Sequence, residues 1–526
     1  ALRHALAAGD RDYVTTVLVD HWPCIVLCLG DHGVGTEVPP PPEGALREAP
    51  DLALAYAADR LSQDDAVGAD HYLRLAAAHE HHIGSERRMR FGLILTAFQL
   101  AHARLRGDPT RVMSTARRLL ALGTDTDGDA DEPDQHLRAR TTALASLGAA
   151  QLASGDLVSA ERSLSAGLDA AELARLPCVR LSCGARLAVA QAGLGALGQA
   201  ERAARAALRA PPCRGRCGEL CGGYAYLALA VVHYEWDRLS DAGRYLDLAA
   251  ACCRGAADPF VITGIAIVRT SVLQAQGDLH AAYNALRVAH RDPTTATTRY
   301  LCDGLTIAEA NVRICAGDTA AARALLTPML DGATAPPAAL AVPLGRAYLR
   351  DGNPAAATAV LPGWADDEAA AGPLALRLEA GLLSALAAHR NGDAHRASHA
   401  MERVLVLARP EGFRRPFTRA GSPVRRLLAD QLDAGTAHWA MVLDLLGAAT
   451  TDPAGTARQV TLEEPLTDRE LTVLRHLQGV RSNMEIASNL SLSVNTIKTH
   501  IRSIYRKLRV TGRREAITKA RELDLV

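Results

Sequence analysis

Lysine is nearly absent from this chain of 526 residues. The only lysines are Lys498, Lys507 and Lys519, so the first 497 residues contain none. Over that length the absence excludes a Walker-type phosphate loop, whose lysine contacts the β- and γ-phosphates. It also excludes Schiff-base chemistry and a receiver domain that depends on lysine. Aromatic residues make up only 4%, and a chain rich in helix formers with few aromatic or β-branched residues is typical of an all-helical protein.

Long hydrophobic runs are also absent. No apolar stretch reaches about 18 residues, which a membrane-spanning helix needs, and the N-terminus does not resemble a signal peptide. We therefore predict a cytoplasmic protein with no membrane partner. The sequence begins at Ala1 without a methionine and already inside a helical pattern, which suggests a piece of a longer protein.

The eleven cysteines form no C-x2-C pair of the kind that binds zinc. Most fit reduced thiols that fill small positions between helices. The run Cys213, Cys217 and Cys221 is the one cluster to test for metal binding or redox sensing. No acid–base pair, nucleophile triad or metal-ligand set is evident. We therefore predict no catalytic residue, metal site or cofactor, and no enzyme.

The most informative feature of the long N-terminal region is a repeated turn. A Gly-Asp pair, or a similar pair, recurs at intervals of 40, 41, 41, 40, 35 and 40 residues. These pairs begin at Gly155, Gly195, Trp236, Gly277, Gly317, Gly352 and Gly392, with fainter copies at Gly9-Asp10, Gln63-Asp64 and Gly107-Asp108.

Each turn predicts a helical hairpin. Glycine ends one helix in the left-handed conformation, and aspartate or asparagine caps the next. An apolar stripe follows at helical spacing, as in Leu279, Ala282, Leu286 and Ala289. Hairpins repeated about every 40 residues form an α-solenoid. We predict an all-α fold with a solenoid similar to tetratricopeptide (TPR) repeats over residues 1–432.

The composition changes after this array. We assign residues 433–465 to a linker region, because residues 448–464 are rich in Thr, Ala, Gly and Glu. Residues 466–526 contain 12 Lys and Arg against 6 Asp and Glu, a net charge of +6. Since the whole chain has 58 basic and 58 acidic residues, the remainder carries −6. The neutral total therefore hides a basic C-terminal segment.

Four helices can be placed in residues 466–526 by their capping residues. Thr467 with Glu470 forms one capping box, and Ser482 with Glu485 forms a second. After the turn Ser491-Leu492-Ser493, Ser493 caps a helix from Val494 to Leu508. A fourth helix follows Gly512. A short helix, a three-residue turn and a longer helix together predict a helix-turn-helix domain.

The third helix of this domain has two different faces. Val494, Ile497, Ile501, Ile504 and Leu508 lie on one side at helical spacing. The other side is polar and basic without an acidic residue, which a solvated helix face would usually include; it carries Asn495, Lys498, Thr499, Arg502, Arg506 and Arg509. This pattern favours DNA binding over an ordinary amphipathic helix.

The position of each residue on the helix suggests its role. Lys498, Thr499 and Arg502 lie in the first turns and are predicted to contact base edges in the major groove. Residues further along, and those at the two helix starts, are better placed for phosphates. The predicted phosphate contacts are Ser482, Ser493, Asn495, Arg506, Lys507 and Arg509.

Several motifs resemble the LuxR-type DNA-binding domain over all of residues 466–526. They are Leu466–Glu470, Glu485–Ala487, Ser493–Ile501, Lys507-Leu508 and Arg513–Ala516. The resemblance implies that Lys498, Thr499 and Arg502 read bases and that the last helix mediates dimerisation. Arg509 is a departure, because the family usually has glycine there.

A helical array before such a domain resembles the MalT-like LuxR regulators. Gly412–Phe417 and Leu427-Leu428 are similar to the segment that precedes their DNA-binding domain. Those regulators usually begin with an ATP-binding domain, which this sequence does not contain. Either the sequence is a piece of a longer chain or this member has lost the domain.

The leading hypothesis is a DNA-binding transcriptional regulator in which the array senses a signal or mediates oligomerisation. Its expected partners are double-stranded promoter DNA, a second copy as a homodimer, RNA polymerase, and an unknown small-molecule or protein inducer. One alternative is a protein-binding scaffold with secondary DNA contact. Another is a fragment of a signal-transduction ATPase regulator.

Overall fold

The computed structural model describes most of the chain. The described ranges are 2–27, 38–39, 42–122, 133–211, 216–254, 258–292, 298–330, 336–364, 372–447, 466–477, 483–490, 492–508, 510 and 512–522. These ranges are helical and contain no strand. The predicted all-α fold is thus confirmed.

The α-helices follow in chain order as α1 Leu2–Ala8, α2 Arg11–Leu27, α3 Glu43–Glu48, α4 Pro50–Ser62, α5 Ala66–Ala78, α6 Ser85–Leu105, α7 Pro109–Leu122, α8 Pro133–Ala153, α9 Leu157–Leu173, α10 Pro177–Leu194, α11 Leu197–Arg209, α12 Arg216–Glu235, α13 Leu239–Cys252, α14 Pro259–Ala275, α15 Leu279–Arg291, α16 Arg299–Ala316, α17 Thr319–Leu326, α18 Ala338–Arg350, α19 Pro354–Val360, α20 Leu374–Arg390, α21 Ala394–Ala408, α22 Arg415–Arg419, α23 Gly421–Ala434, α24 Trp439–Gly447, α25 Asp468–Leu477, α26 Asn483–Asn489, α27 Val494–Leu508 and α28 Arg513–Glu522. Two short 3₁₀ helices lie at Glu80–His82 and Thr327–Leu330.

A residue in the left-handed conformation occurs at every predicted turn, including the three fainter copies. These residues are Gly9, Asp64, Gly107, Gly155, Gly195, Asp237, Gly277, Gly317, Gly352 and Gly392. A left-handed residue after a helix ends the helical hydrogen-bond ladder and lets the chain reverse. The TPR-like region of successive helix pairs is therefore confirmed.

The predicted capping hydrogen bonds also form at most of the turns. Asp278 Oδ1 accepts a hydrogen bond from Ala281 N at 2.9 Å, and Asp156 accepts one from Ser159 N at 3.1 Å. Equivalent bonds form at Asp10, Asp108, Asp318, Asn353 and Asp393. Each bond satisfies one of the amides left open at a helix start.

Three turns depart from the expected pattern, in which the side chain of the second residue of each pair caps the next helix. At Gly195-Ala196 the alanine has no side chain that could cap α11. At Gln63-Asp64 and Trp236-Asp237 the aspartate itself is left-handed, so it cannot be the capping residue. Asp65 caps α5 instead. The Asp237 carboxylate accepts a hydrogen bond from Arg415 Nη1 at 2.8 Å. Its side chain therefore makes a tertiary contact and not a helix cap.

The described chain divides into two compact units. The first comprises residues 1–234 and 238–316, and the second comprises residues 235–237 and 317–526. Within the first unit, the predicted stripe on α15 packs against α16. Ala282, Leu286 and Ala289 are buried against Leu305, Ala308 and Val312, with Leu279 half-buried beside them.

Helix α2 is held by long-range contacts inside the first unit. It packs against α4, α6 and α8. The Trp22 indole is completely buried and donates to Gln135 Oε1 at 2.9 Å. The Arg138 guanidinium donates to the Asp20 carbonyl at 2.9 Å. Nothing local to residues 11–27 predicts these two hydrogen bonds, because their partners lie more than a hundred positions away.

The turn between α8 and α9 contacts the beginning of α16 in the same unit. The Thr298 hydroxyl donates to the Ala153 carbonyl at 2.9 Å. The Tyr300 ring lies so close to Gly155 that an added Cβ would overlap it. Gly155 is therefore required both by its left-handed backbone, with φ of +82°, and by this close approach.

In the second unit, the segment after α21 is anchored by two aromatic side chains. Phe413 and Phe417 are buried, as are Leu427 and Leu428 on α23. Helix α24 follows and buries Val442 and Leu445. The region predicted as a linker, 433–465, thus contains the apolar helix Trp439–Gly447, which packs in this unit. Residues 448–465 lie outside the described ranges.

Candidate nucleic-acid interface

The four C-terminal helices begin where their capping residues predict. Thr467 N donates to Glu470 Oε2 at 2.8 Å, and Glu470 N donates to Thr467 Oγ1 at 3.3 Å. This reciprocal pair is a capping box. At the start of α27, Thr496 N donates to Ser493 Oγ at 3.0 Å, so Ser493 caps this helix as expected.

The helices enclose a small core of their own. On α27, Ile497, Ile501, Ile504 and Leu508 are buried. They pack with residues from the other three helices, namely Leu466, Val473, Leu474, Leu477, Ile486, Ala487, Ala516 and Ala520. The Arg513 Nε–H donates to the Leu477 carbonyl at 3.1 Å, which ties α28 to the end of α25. The apolar face of α27 thus orients the helix on α25, α26 and α28.

The opposite face of α27 is open to solvent. Asn495, Lys498, Thr499, Arg502 and Arg506 are all exposed. Because the buried stripe fixes the rotation of the helix, these five side chains project from one continuous surface. We call this set the recognition face. The structure brings together all the predicted base-contacting residues and two of the predicted phosphate-contacting residues.

The start of α27 adds backbone donors to the recognition face. The amides of Val494 and Asn495 precede the first intrahelical hydrogen bond, which Ile497 N makes to Ser493 O at 3.1 Å. Such amides, together with the positive end of the helix dipole, attract phosphate oxygens. Thr499 Oγ1 donates to the Asn495 carbonyl at 3.0 Å, which directs its hydroxyl toward its own helix.

Lys507, a predicted phosphate contact, is placed elsewhere. Its ammonium binds Glu470 Oε2 at 2.8 Å, and only 8% of its side chain is exposed. Glu470 also accepts from the Ser503 hydroxyl at 2.6 Å. The Lys507 side chain points toward α25 and its charge is neutralised there, so it lies apart from the recognition face, and its phosphate contact stays a prediction.

This cluster changes the acidity of Glu470. Burial by itself raises the pKa of a carboxyl group, but the hydrogen bonds from Lys507, Ser503 and Thr467 outweigh it. The pKa of Glu470 falls to about 2. The carboxylate is therefore ionised at neutral pH and clamps α25 to α27. The sequence signal was the capping box itself, whose glutamate also serves a tertiary role.

Two further predicted phosphate contacts, Ser482 and Arg509, lie outside the described residues and stay predictions. The same holds for Cys213, and for the side chain of Cys217. Among the cysteines that the structure describes, Cys221 is buried. Burial raises the pKa of Cys252 and Cys253, which disfavours the reactive thiolate.

The described residues contain no group of three or more His, Cys, Asp or Glu side chains arranged to hold a metal ion. Over the same ranges, no helix combines the length and the apolar character needed to cross a membrane.

Comparison with known proteins yields two family matches. The family described as "MalT-like TPR region" matches residues 95–434, well over half of the chain. The family described as "Bacterial regulatory proteins, luxR family" matches residues 464–520. The second match contains the whole recognition face.

Individual relatives support the same assignment. The chain is similar to the HTH-type transcriptional regulator MalT of Vibrio cholerae, with 30% identity over 163 residues, which is 27% of this chain and 18% of the relative. It is also similar to the MalT regulators of Serratia proteamaculans and Yersinia pestis, with 48% identity over 59 residues, which is 11% of this chain and 6% of each relative. The matched segments thus span less than a fifth of the relatives' own length.

One assignment follows from the helix pairs of the array, the helix-turn-helix with its basic recognition face and the two family matches. The chain belongs to the MalT-like family of bacterial regulatory proteins, with a C-terminal helix-turn-helix domain of the luxR family.

Proposed function

We propose that this chain regulates transcription by inserting α27 into the major groove of promoter DNA. The observation that carries the proposal is the recognition face: exposed Lys498, Arg502 and Arg506 with no acidic residue on α27. The opposite face of the helix is buried, so these cations are held on one side. The description of the relatives as HTH-type transcriptional regulators supports the same activity.

Lys498, Thr499 and Arg502 read bases in this proposal. They lie one to two turns into α27, where a recognition helix reaches base edges. The hydrogen bond from Thr499 to Asn495 favours an apolar contact of the Thr499 methyl group, such as one with thymine. Lys498 and Arg502 supply donors for guanine.

Phosphate contacts flank these residues. Arg506 lies one turn beyond Arg502, and Asn495 lies at the helix start beside the open amides that follow Ser493. Ser482 and Arg509 remain part of the proposed set. Each neutralised phosphate contributes to affinity without sequence preference and makes binding depend on salt.

We further propose that the protein binds as a homodimer on two half-sites about one DNA turn apart, recruits RNA polymerase, and receives a small-molecule or protein inducer through the helical array. Because the target is promoter DNA, the proposed location is cytoplasmic. We propose no enzymatic activity, because the relatives are described as transcriptional regulators.

Gel-shift titrations of the whole chain test these roles. A preferred site is first selected from random-sequence DNA, and binding to this site and to random DNA is then compared. Lys498→Ala should weaken binding to the selected site by about 1–3 kcal/mol. It should weaken binding to random-sequence DNA much less. Arg506→Ala should weaken both equally and lower the salt slope by about one. Arg244→Ala, at a 66% exposed side chain on α13, is the matched control and should change neither.

Two results would refute the role assignment. One is an equal effect of Lys498→Ala on selected and random DNA. The other is a failure to select any preferred sequence, which would leave only non-specific binding.

A further inference from the structure

A cleft of about 670 Å³ lies beside α15 and α16 in the first unit. The described residues that line it belong to α15 or to α16, and none of these belongs to the recognition face. A volume of this order suits a small organic molecule. The cleft therefore has the dimensions of a binding site separate from the proposed DNA contact.

Four of the polar side chains that line the cleft lie in one row on α15. His280, Asn284, Arg287 and Arg291 are spaced by four, three and four residues, so they occupy one helix face. The Arg287 guanidinium donates to Asn284 Oδ1 at 3.3 Å, which restrains its position over the cleft. A restrained guanidinium is suited to a carboxylate or phosphate group, because it presents several N–H donors in one plane.

The charge of the cleft is positive. Helix α15, the second helix of its hairpin, contains no acidic residue. The second helices of the two preceding hairpins, α11 and α13, do contain acidic residues. Among the described residues that line the cleft, the acidic one is Glu309 on α16, and Arg313 binds its carboxylate at 2.5 Å. With Glu309 paired in this way, the arginines Arg287 and Arg291 give the described lining side chains a net positive charge, which attracts an anion.

The floor of the cleft is apolar. Leu279 and Leu286 contribute to it, and the Tyr283 ring is 37% exposed along its side. A bare inorganic anion would leave this surface uncovered. A molecule with both an anionic group and a ring or hydrocarbon part would bury it and gain hydrophobic stabilisation.

We propose that this cleft binds a small organic anion. Its carboxylate or phosphate group lies against Arg287 and Arg291, and its uncharged part packs on Tyr283 and Leu279. The proposal is independent of DNA binding, because its residues and those of α27 do not overlap.

Calorimetric titration of the whole chain at low salt tests the site with three probes: glucose 6-phosphate, citrate and glucose. If glucose 6-phosphate binds and citrate does not, the cleft prefers a ligand with a phosphate group. If citrate binds and glucose 6-phosphate does not, the cleft prefers a carboxylate. Either result supports the site. Uncharged glucose should not bind. Arg287→Gln should weaken binding of the anion by about tenfold, the loss expected for one charge-assisted pair. Arg244→Gln on α13 is the matched control and should leave the affinity unchanged.

The proposal is overturned if neither anion binds below about 10 mM, a very weak affinity for a specific site. It is equally overturned if glucose binds as tightly as its phosphate, or if Arg287→Gln has no effect. Since Arg287 is exposed, the substitution leaves the helical core intact, and a loss of binding reports on the site.

Discussion

Glu470→Gln should loosen the DNA-binding domain without touching the recognition face. The substitution keeps the shape of the side chain and removes its charge. Glu470 is 5% exposed and accepts hydrogen bonds from Thr467, Ser503 and Lys507. In the variant, the ammonium of Lys507 stays in a site with 8% exposure but loses its carboxylate. Breaking one side of a buried ion pair is strongly destabilising.

The size of the effect follows from the acidity of Glu470. Burial raises its pKa, the hydrogen bonds lower it more, and the pKa falls from 4.5 to about 2. At about 1.36 kcal/mol for each pH unit, this lowering corresponds to about 3 kcal/mol of stability. The same order is found when one partner of a buried ion pair is removed, for which about 3–5 kcal/mol is typical.

The sign of the pH dependence is fixed by the direction of the pKa change. The pKa of Glu470 is lower in the folded state than in the unfolded state, so the folded state favours the ionised carboxylate. The stabilisation is complete above pH 4.5 and is lost as the pH falls toward about 2. In Glu470→Gln this pH-dependent loss should disappear from the domain.

Amide hydrogen exchange on the whole chain measures the change locally. Peptides from α25 and α27 should lose about a hundredfold of their protection, which is what about 3 kcal/mol implies. Peptides from α20 and α21 should not change. Glu515→Gln, at an exposed carboxylate on α28, is the control within the same domain. Unchanged protection in Glu470→Gln, or an equal loss in Glu515→Gln, would refute the reasoning.

Three backbone positions give further predictions that hydrogen exchange of the adjoining helices can check. Gly277→Ala should cost about 1–2 kcal/mol from its left-handed backbone alone, whereas Gly155→Ala should cost about 1–3 kcal/mol more, because its Cβ would overlap the Tyr300 ring. Equal losses would show that the ring moves aside freely. Asp237 has a φ of +60° and binds Arg415. Asp237→Ala should therefore be less stable than Asp237→Gly by about 1 kcal/mol, and the opposite order would contradict the left-handed backbone.

The hairpin array was predictable because its determinants are local. A left-handed residue and a capping side chain act within a few positions of each other, so a turn such as Gly277-Asp278 carries its own structure in sequence. The two faces of α27 were predictable for the same reason. Helical periodicity alone separates Ile497 and Ile501 from Lys498 and Arg502.

The sequence was less informative where a partner lies far away in the chain. Lys507 looks like another cation of a basic helix, and only the packing of α25 against α27 directs it to Glu470, 37 positions earlier. Helix α24 lies inside the region predicted as a linker, whose assignment rested on the composition of residues 448–464, and its residues Val442 and Leu445 are buried in the structure.

The sequence by itself determined where the helices begin and end and which residues α27 presents to solvent. These features depend on hydrogen bonds and spacings within one segment. The tertiary structure decided which cations are available to a phosphate, why Gly155 lacks a side chain beneath Tyr300, and how Arg287 and Arg291 come to border a cleft. Those outcomes depend on contacts between segments, whose energies are set by burial and charge pairing that no local pattern records.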